Sequence, residues 1–402
     1  MPLYLINPSG ALIETDSQES YQKFIKKGFG IPTPQQIEQY ERQRAVLHKK
    51  MTRSEEKSDI YFCSVSPGSN GFGISAKKIK EAFDEVGVRY SEQQKGQRIG
   101  FLYHHPYSVT RLDNKIKIVY TMFESDKIPP EWTEYLKAAD LIIVPSHWCM
   151  EVFAKAGFSA KVVPLGFDEK VFTPVTRKIK KDTHAPFYFL HYNGFNKRKG
   201  FQELWKAFNL EFKKDEPVKL VIKTTRDKLP LPITPAEYPN IIVKTGDTSE
   251  ERLALLCQQV DAFVFPSMGE GFGMTPLEAM GTGLPTIVPN AHGISEYFNP
   301  EYMYEVKHTE GAPAVYSRYK NQDVGHMVVC DVDDLRRQMR FVYEHEKEAK
   351  EKGAKAAEYV RQYTFANTAK LLKEIFDEYL AKDLPASEES KQSDNLLMME
   401  EV

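Results

Sequence analysis

The chain has few cysteines, and it lacks the patterns that cysteine forms in metal-bound or disulfide-stabilised domains. Its four cysteines are scattered along 402 residues, at Cys63, Cys149, Cys257 and Cys330. No CxxC pair and no His-Cys cluster occurs, which argues against a structural zinc site and against a disulfide framework. We therefore interpret the four residues as free thiols in a reducing compartment.

Long apolar runs and an excess of one charge are also absent. No run of about 18 apolar residues exists, so no membrane-spanning helix is expected. The N-terminus "MPLYLINPSGALIE" lacks the basic and apolar regions of a signal peptide. The net charge of −2 does not suggest a nucleic-acid binder, although a local basic groove stays open. With 41% hydrophobic and 27% charged residues, the chain is typical of soluble globular proteins, and we expect it in the cytoplasm.

Apolar strand candidates alternate with helical stretches from Asp59 onward, as in "DIYFCSVSPG", "RIGFLYHH" and "DLIIVPS". This alternation predicts parallel sheets covered by helices on both faces. It is interrupted at "DEKVFTPVTRKIKKDTHAP" and restarts at "FYFLHYNG", so we predict an α/β fold with two Rossmann-like domains facing a cleft. The predicted divisions are an N-terminal appendage and linker (1–58), a first domain (59–174), a second domain (175–365), a closing helix (366–384) and a disordered acidic tail (385–402).

The stretch "GEGFGMTPLEAMGTGLP" follows the strand candidate "DAFVFPS" and carries two carboxylates, Glu270 and Glu278. Thr275 and Glu278 fit a capping box at the start of the next helix, which is a purely local role. Glu270 has no such local role. A helix N-terminus attracts phosphate, whereas carboxylates repel it and bind sugar hydroxyls. The stretch therefore predicts a phosphate flanked by two polyols, which is the shape of a nucleotide sugar.

A ligand of this kind needs cations, and "GFNKRKGF" supplies Lys197, Arg198 and Lys199 directly after the strand "FYFLHYNG". Arginine binds phosphate with two parallel hydrogen bonds, and lysine acts as a point charge. The alternative is a solvated basic turn. The position at the carboxyl end of a strand favours the ligand-binding interpretation.

The run "DAFVFPSMGEGFGMTPLEAMGTGLPTIV" closely resembles the E-x7-E signature of retaining glycosyltransferases with the GT-B fold, in the large fourth sequence family known as glycosyl transferases group 1. The order of "VPLGFDEKVFTP", "NGFNKRKGF" and "VKTGDTSEERLALLCQQVDAFVFPS" around it is similar as well, and the resemblance covers residues 59–380. The N-terminal pattern "KKGFGIPTPQQIEQYE" resembles extensions on phage-encoded proteins.

The resemblance implies a role for each matching residue. Glu278 would bind the ribose, Glu270 the donor sugar, and Lys199 with Arg198 the departing diphosphate. Gly71 and Gly73 would face the diphosphate and the acceptor. The backbone that holds donor sugar and phosphate would be that of Gly271, Phe272, Gly273, Met274 and Thr275. The resemblance further implies no divalent metal, no cofactor besides the nucleotide-sugar donor, and no protein nucleophile.

Two positions depart from the family pattern. The usual arginine follows the strand glycine directly, but Phe195 stands there, and Arg198 is its substitute from the neighbouring turn. Many members place a histidine after the strand equivalent to "IVYTMFES", where this chain has Phe123 and Glu124. We expect Glu124, as a charged residue ending an apolar strand, to take the acceptor side. His104 is a weaker candidate, and His105 is expected to pack.

The chemistry implied is transfer of a sugar to an acceptor hydroxyl with retention of anomeric configuration. Three alternatives stay open: a glycosidase, which also uses two carboxylates; a non-catalytic carbohydrate-binding or structural protein; and the same transfer onto hydroxymethylated bases of phage DNA. The last would need a basic surface and a flipped base. Its candidate residues are Lys26, Lys27, Lys49, Lys50 and the run 177–181, "RKIKK".

Overall fold

The computed structural model describes residues 3–6, 12–15, 18–38, 40–41, 58–64, 71–176, 185–193, 196–225, 237–319 and 322–382. The chain separates into two compact units, Met1–Ser58 and Asp59–Val402. In the first unit β1 (Leu3–Ile6) pairs antiparallel with β2 (Leu12–Thr15), and helix α1 (Gln18–Lys26) follows. Residues 34–38 are helical. The acidic tail, residues 385–402, lies outside the described residues.

The second unit opens with a parallel sheet whose strands follow chain order. The strands are β3 (Ile60–Cys63), β4 (Ile99–Tyr103), β5 (Ile116–Tyr120), β6 (Leu141–Val144) and β7 (Lys161–Val162). All five residues of β4 are buried, as expected for a strand covered on both faces. Helix α2 (Gly71–Val86) buries Ile79, Ala82 and Phe83, whose spacing places them on one face of the helix.

A second parallel sheet in the same unit has a different strand order. Its strands are β8 (Phe187–Asn193), β9 (Val218–Thr224), β10 (Ile241–Lys244), β11 (Ala262–Val264), β12 (Thr286–Pro289) and β13 (Tyr304–Val306). They lie in the order β10-β9-β8-β11-β12-β13, so the direction of winding reverses between β8 and β11. This is the order of the dinucleotide-binding sheets, in which the reversal opens a crevice.

Helices connect and cover these strands. After α2 they are α3 (Trp132–Leu136), α4 (His147–Lys155), α5 (Phe201–Glu211), α6 (Glu250–Gln259), α7 (Met274–Gly281), α8 (Val332–Glu344), α9 (Glu346–Tyr359) and α10 (Phe365–Lys382). Helix α10 returns to the first sheet, where the ring of Phe376 lies 5.1 Å from that of Phe101 and 5.9 Å from that of Phe83. None of the helices within the described ranges is long and apolar enough to cross a membrane.

An antiparallel hairpin, β14 (His308–Pro313) and β15 (His326–Cys330), leaves the second sheet after β13. The segment between its strands contacts the first sheet's loop after β5. Ser125 Oγ donates a hydrogen bond to the Val324 carbonyl at 2.6 Å, and Lys127 pairs with Asp323 at 2.7 Å. The two sheets are therefore joined at a second place besides α10, on the side where β5 ends.

Candidate active site

The carboxyl ends of β8 and β11 lie side by side where the second sheet reverses its winding, because these two strands pair in parallel. The chain leaves β8 toward the basic turn Lys197–Lys199 and leaves β11 toward Glu270. Ligands of such sheets bind beyond the strand ends at this point. Two motifs that are 71 positions apart in sequence are thus brought together where a ligand crevice is expected.

The basic turn is a short 3-10 helix that ends at Gly200, whose φ of 67° lies in the left-handed region. The Lys199 amide donates to the Asn196 carbonyl at 3.1 Å, and the Met268 amide donates to the Arg198 carbonyl at 2.7 Å. A Cβ atom on Gly200 would lie 1.7 Å from the carbonyl oxygen of Pro266. Only glycine satisfies both the backbone angle and this close approach, so Gly200 fixes the turn against the β11 loop.

We expect Gly200→Ala to lower the free energy of unfolding by at least about 3 kcal/mol, because left-handed backbone strain adds to the clash with Pro266. Gly246→Ala is the matched control. Gly246 has a similar φ of 84°, but a Cβ atom there would meet nothing within 4 Å, so its cost should be about 1 kcal/mol. Urea unfolding of both variants measures the difference. Equal losses would mean that the contact with Pro266 does not constrain the turn.

Two cations and two carboxylates meet in the crevice. Lys199 Nζ lies 2.6 Å from Glu270 Oε1, and Arg198 Nη1 lies 3.1 Å from Glu270 Oε2. Arg198 Nη2 lies 3.1 Å from Glu124 Oε1, which belongs to the loop after β5. Arg198 also donates to the Gly269 carbonyl, and Ser267 Oγ donates to Glu270 Oε1 at 2.6 Å. Arg198 therefore bridges the loops that follow the two sheets' strands.

The cluster is buried enough to shift the pKa of its members. Burial favours the neutral form of Glu270, but the charges of Arg198 and Lys199 and the hydrogen bonds from Lys199 and Ser267 lower its pKa to about 2. Burial lowers the pKa of Lys199, with Arg198 acting in the same direction and Glu270 opposing. Burial acts against the charge of Arg198 too, but Glu124 and Glu270 raise its pKa. We therefore expect Glu270 to be ionised near pH 7 and to accept hydrogen bonds instead of acting as an acid.

The glycines around Glu270 permit close packing against the first sheet. A Cβ atom on Gly269 would lie 2.1 Å from the Glu124 carbonyl oxygen, and one on Gly271 would lie 2.8 Å from Met122 Cβ. Ser146 Oγ, at the start of α4, donates to the Gly271 carbonyl at 2.9 Å. The backbone beside Glu270 is therefore packed against segments that follow strands of the first sheet.

Helix α7 begins differently from the sequence-based expectation. Its N-cap is Gly273, with φ of 90°, and no side chain caps it. Thr275 is the second helical residue, so the predicted capping box of Thr275 and Glu278 is wrong. The reason is a tertiary contact. The Tyr297 hydroxyl donates to the Gly273 carbonyl at 2.6 Å, and a Cβ atom on Gly273 would lie only 2.9 Å from the hydroxyl oxygen of Tyr297. The turn is fixed by Tyr297 and glycine instead of by a hydroxyl cap.

Glu278 does not take part in capping the helix, and its carboxylate faces the carboxyl end of β8. Tyr192 donates from its hydroxyl to Glu278 Oε2 at 2.9 Å and to the Thr275 carbonyl at 3.2 Å. Burial raises the pKa of Glu278 to about 7, with Glu250 adding to the rise and with Tyr192 and Lys78 opposing it. A carboxylate near the start of α7 with one protein donor retains acceptor capacity for ligand hydroxyls.

The start of α2 approaches the start of α7 across the crevice. A Cβ atom on Gly71 would lie 3.9 Å from Met274 Cε, and Gly73 belongs to the same first turn of α2. Phe272 is buried, with its ring 5.5 Å from that of Tyr297. Gly71, Gly73 and the segment 271–275 thus belong to facing walls of one crevice.

Phe123 and Glu124 do not end a strand, because β5 stops at Tyr120. That expectation is wrong, and the reason is that Phe123 is buried in an aromatic cluster instead of in the sheet. Its ring lies 5.2 Å from that of Trp132 and 5.0 Å from that of Tyr316. Glu124 follows in the loop and is brought to Arg198 there.

His104 and His105 follow β4 and pack against aromatic rings. The His104 ring lies 5.1 Å from Phe72, and the His105 ring lies 5.0 Å from Trp132. Burial, followed by the charge of Arg318, lowers the pKa of His104, and burial together with His104 and Arg318 lowers that of His105 to about 4. Glu124 contacts Arg198, whereas the ring contacts of His104 are with Phe72 and His105.

Sequence reasoning missed three residues of this crevice: Ser267, Tyr192 and His292. Tyr192 lies near the end of β8 and Ser267 follows β11 in the loop, and a polar group after an apolar run was a usable signal for both. His292 comes from the loop after β12, and no local pattern marks it.

Of the residues considered for other roles, Lys26 and Lys27 are exposed at the end of α1 and just after it. Other positions that were weighed lie outside the described residues: Phe195, Lys49, Lys50 and 177–181.

The chain is similar to known glycosyltransferases over the region that holds the crevice. Residues 173–313, which hold Arg198, Lys199, Glu270 and Glu278, match the family model described as Glycosyl transferases group 1. The chain is 26% identical over 242 residues to the ORF313 protein of Acidianus filamentous virus 1, described as a glycosyltransferase; that alignment covers 57% of this chain and 67% of the viral protein. It is 28% identical over 215 residues to the serotype-specific mannosyltransferase WbdA of Escherichia coli, covering 51% of this chain but 24% of WbdA.

Solved structures of glycosyltransferases share the fold. Sucrose-phosphate synthase from Thermosynechococcus elongatus superposes with a TM-score of 0.55 at 17% identity, over 79% of this chain and 81% of that one. HepE from Anabaena, solved with UDP and glucose, gives a TM-score of 0.57 at 11% identity, over 80% and 100%. The chain therefore has an α/β fold of the GT-B type, and residues 173–313 within it match the glycosyl transferases group 1 model.

Proposed function

We propose that the protein transfers a sugar from a nucleoside diphosphate sugar to a hydroxyl group of a carbohydrate acceptor, with retention of anomeric configuration. The observation that carries the proposal is the cluster in which Arg198 and Lys199 meet Glu270 beside the start of α7. Cations and a helix N-terminus suit a diphosphate, and ionised carboxylates suit sugar hydroxyls. The cluster offers both within one crevice.

The donor would lie across the start of α7. Its diphosphate would face Arg198 and Lys199, its ribose would contact Glu278, and its sugar would contact Glu270. Glu278 has Tyr192 as a donor and keeps free lone pairs, which supports the ribose role. The proposal includes no metal and no further cofactor, because the two cations supply the positive charge that the leaving diphosphate needs.

In the reaction, the bond between the anomeric carbon and the diphosphate oxygen breaks, and the electron pair leaves with the diphosphate. The acceptor oxygen then bonds to the anomeric carbon on the same face and passes its proton to a diphosphate oxygen. Lys199 and Arg198 stabilise the developing negative charge, and Glu270 holds the sugar in place. The contribution of the protein is electrostatic stabilisation and positioning.

The state of the carboxylates argues against the glycosidase alternative. A glycosidase needs one carboxylic acid that can protonate the leaving group. With a pKa of about 2 and two cations bound, Glu270 cannot serve as that acid. Glu278 has a raised pKa, but it is turned toward Tyr192 and the nucleotide end of the crevice. The pair therefore suits ligand hydroxyls better than acid catalysis.

A thermal-shift screen tests the proposal directly. UDP-, GDP- and ADP-sugars are added separately to the full chain, with GDP-mannose and UDP-glucose first, because WbdA is a mannosyltransferase and HepE was solved with UDP and glucose. The sugar nucleotides of one of the three bases should stabilise the protein. The gain in the free energy of unfolding should be about 2.7 kcal/mol when the ligand concentration is 100 times the Kd of that ligand. Mass spectrometry then identifies the acceptor that gains the sugar, and proton NMR gives its anomeric configuration. If no nucleotide stabilises the protein, the proposal is wrong.

A further inference from the structure

His292 has the most unusual backbone of the crevice. It is the one non-glycine residue with positive φ among those described, at 53°. Such a conformation is strained for a residue with a Cβ atom. The neighbouring Gly293 amide donates to the Glu270 carbonyl at 2.8 Å, which ties the strained loop to the catalytic turn.

The imidazole of His292 is held between the two sheets. Its ring stacks on that of Trp148, in α4, with centroids 4.3 Å apart and an interplanar angle of 21°. On the other side, its Nδ1 would lie 3.2 Å from a Cβ atom on Gly269, so the ring faces the residue before Glu270. Nδ1 is buried and has no hydrogen-bond partner within the described part of the chain. An unsatisfied buried nitrogen is a second unfavourable feature of this residue.

The imidazole is neutral near pH 7. Burial is the largest cause and lowers the pKa of His292 to about 4; His308 and Arg198 act in the same direction, and Asp126 and Glu270 oppose. A neutral ring can donate one hydrogen bond and accept another, which is the pattern that a sugar hydroxyl matches. Glycine at this position would remove both the strain and the unsatisfied nitrogen.

We propose that His292 contacts the sugar carried by the donor, beside Glu270, and helps to select which sugar is transferred. This inference rests on the proposed function, because it assumes that Glu270 marks the donor-sugar subsite. The strained backbone and the unsatisfied nitrogen belong to one residue, His292, which lies directly against the Glu270 turn. A sugar hydroxyl at that place would satisfy the imidazole.

The test compares the binding of a sugar nucleotide with that of the same nucleoside diphosphate without sugar, by isothermal titration calorimetry. In His292→Gly, the affinity for the sugar nucleotide should fall at least tenfold, while the affinity for the diphosphate stays within twofold. The melting temperature should not fall, because glycine relieves the backbone strain. His292→Asn, which tolerates positive φ and keeps a polar group, should recover part of the lost affinity.

A matched control is His345→Asn, because His345 is also stacked, on Phe341 at 4.0 Å, but in the connection between α8 and α9. It should bind both ligands as the parent chain does. Equal affinities of His292→Gly and the parent chain for the sugar nucleotide would overturn the inference, as would equal losses for both ligands. If the parent chain itself binds neither ligand, the proposed function fails first, and the inference fails with it.

Discussion

Replacing Lys199 by alanine is expected to lower kcat/KM for sugar transfer by about 10²- to 10³-fold, the range found when one charge-stabilising donor is removed from an active site. Lys199 is nearly buried, with 15% of its side chain exposed, and its ammonium lies in the crevice instead of in solvent. Its charge therefore acts on a leaving diphosphate with little screening by water. We expect most of the loss in kcat, because the charge on the diphosphate grows as the bond breaks.

The fold should survive this change. In Lys199→Ala, Glu270 keeps Arg198 at 3.1 Å and the Ser267 hydroxyl at 2.6 Å, so its buried charge stays compensated. A melting temperature within a few degrees of the parent chain confirms this. Lys197→Ala is the matched control, because Lys197 belongs to the same turn but is exposed. It should leave kcat unchanged, since its charge is screened by solvent.

Glu270→Ala extends the same test to the carboxylate. It should remove most transfer as well, but by a different route, because it takes away the proposed contact with the donor sugar. Nucleoside diphosphate without sugar should still bind Glu270→Ala and should bind Lys199→Ala more weakly. Near-normal turnover in both variants would show that this cluster is not the transfer site.

From the sequence, the members of this cluster could be placed at one edge of a sheet, because parallel strands have their carboxyl ends at the same edge. Arg198, Lys199 and Glu270 each follow an apolar run, and the alternation of strands and helices predicted the two sheets. The strand order was not predictable, because it depends on pairing between distant segments. The reversal between β8 and β11 nevertheless decides that Lys199 and Glu270 become neighbours.

Where the sequence misled, contacts from distant residues had decided the local structure. The capping box at Thr275 failed because Tyr297 and the left-handed Gly273 set the helix start two residues earlier than a hydroxyl cap at Thr275 would. Glu124 was expected at a strand end, but burial of Phe123 in an aromatic cluster carries the chain out of the sheet first. His292 could not be found, because its ring contacts Trp148 of α4, a residue that is distant in sequence.

Glu278→Gln is expected to change stability and nucleotide binding in opposite directions. Glu278 has a pKa of about 7 in the folded chain against an ordinary value of 4.5. Between these pH values the folded state binds more protons than the unfolded state, so the free energy of unfolding falls as pH rises. Above pH 7 the loss is complete and amounts to about 3 kcal/mol. Glutamine does not ionise, so the variant should be more stable than the parent chain at pH 8 and equally stable at pH 4.

The affinity for nucleotide should show the reverse. An ionised Glu278 accepts hydrogen bonds from ribose hydroxyls more strongly than an amide does, by about 1.5 kcal/mol, which is roughly tenfold in Kd. Binding to the parent chain should therefore tighten from pH 6 to pH 8, whereas binding to Glu278→Gln should be weaker and independent of this titration. Calorimetric titrations and thermal melts at pH 6 and pH 8 measure both quantities.

The control is Glu301→Gln, an exposed carboxylate in the loop before β13, which should alter neither curve. A parallel loss of stability and binding in Glu278→Gln at pH 8 would contradict the assignment, because it would mean that the carboxylate holds the fold instead of the ribose. Greater stability with weaker nucleotide binding in Glu278→Gln would instead show that the ionised Glu278 destabilises the ligand-free protein and strengthens the binding of nucleotide. That combination is expected of a group that serves a ligand, because a purely structural Glu278 would gain nothing from burial of its charge.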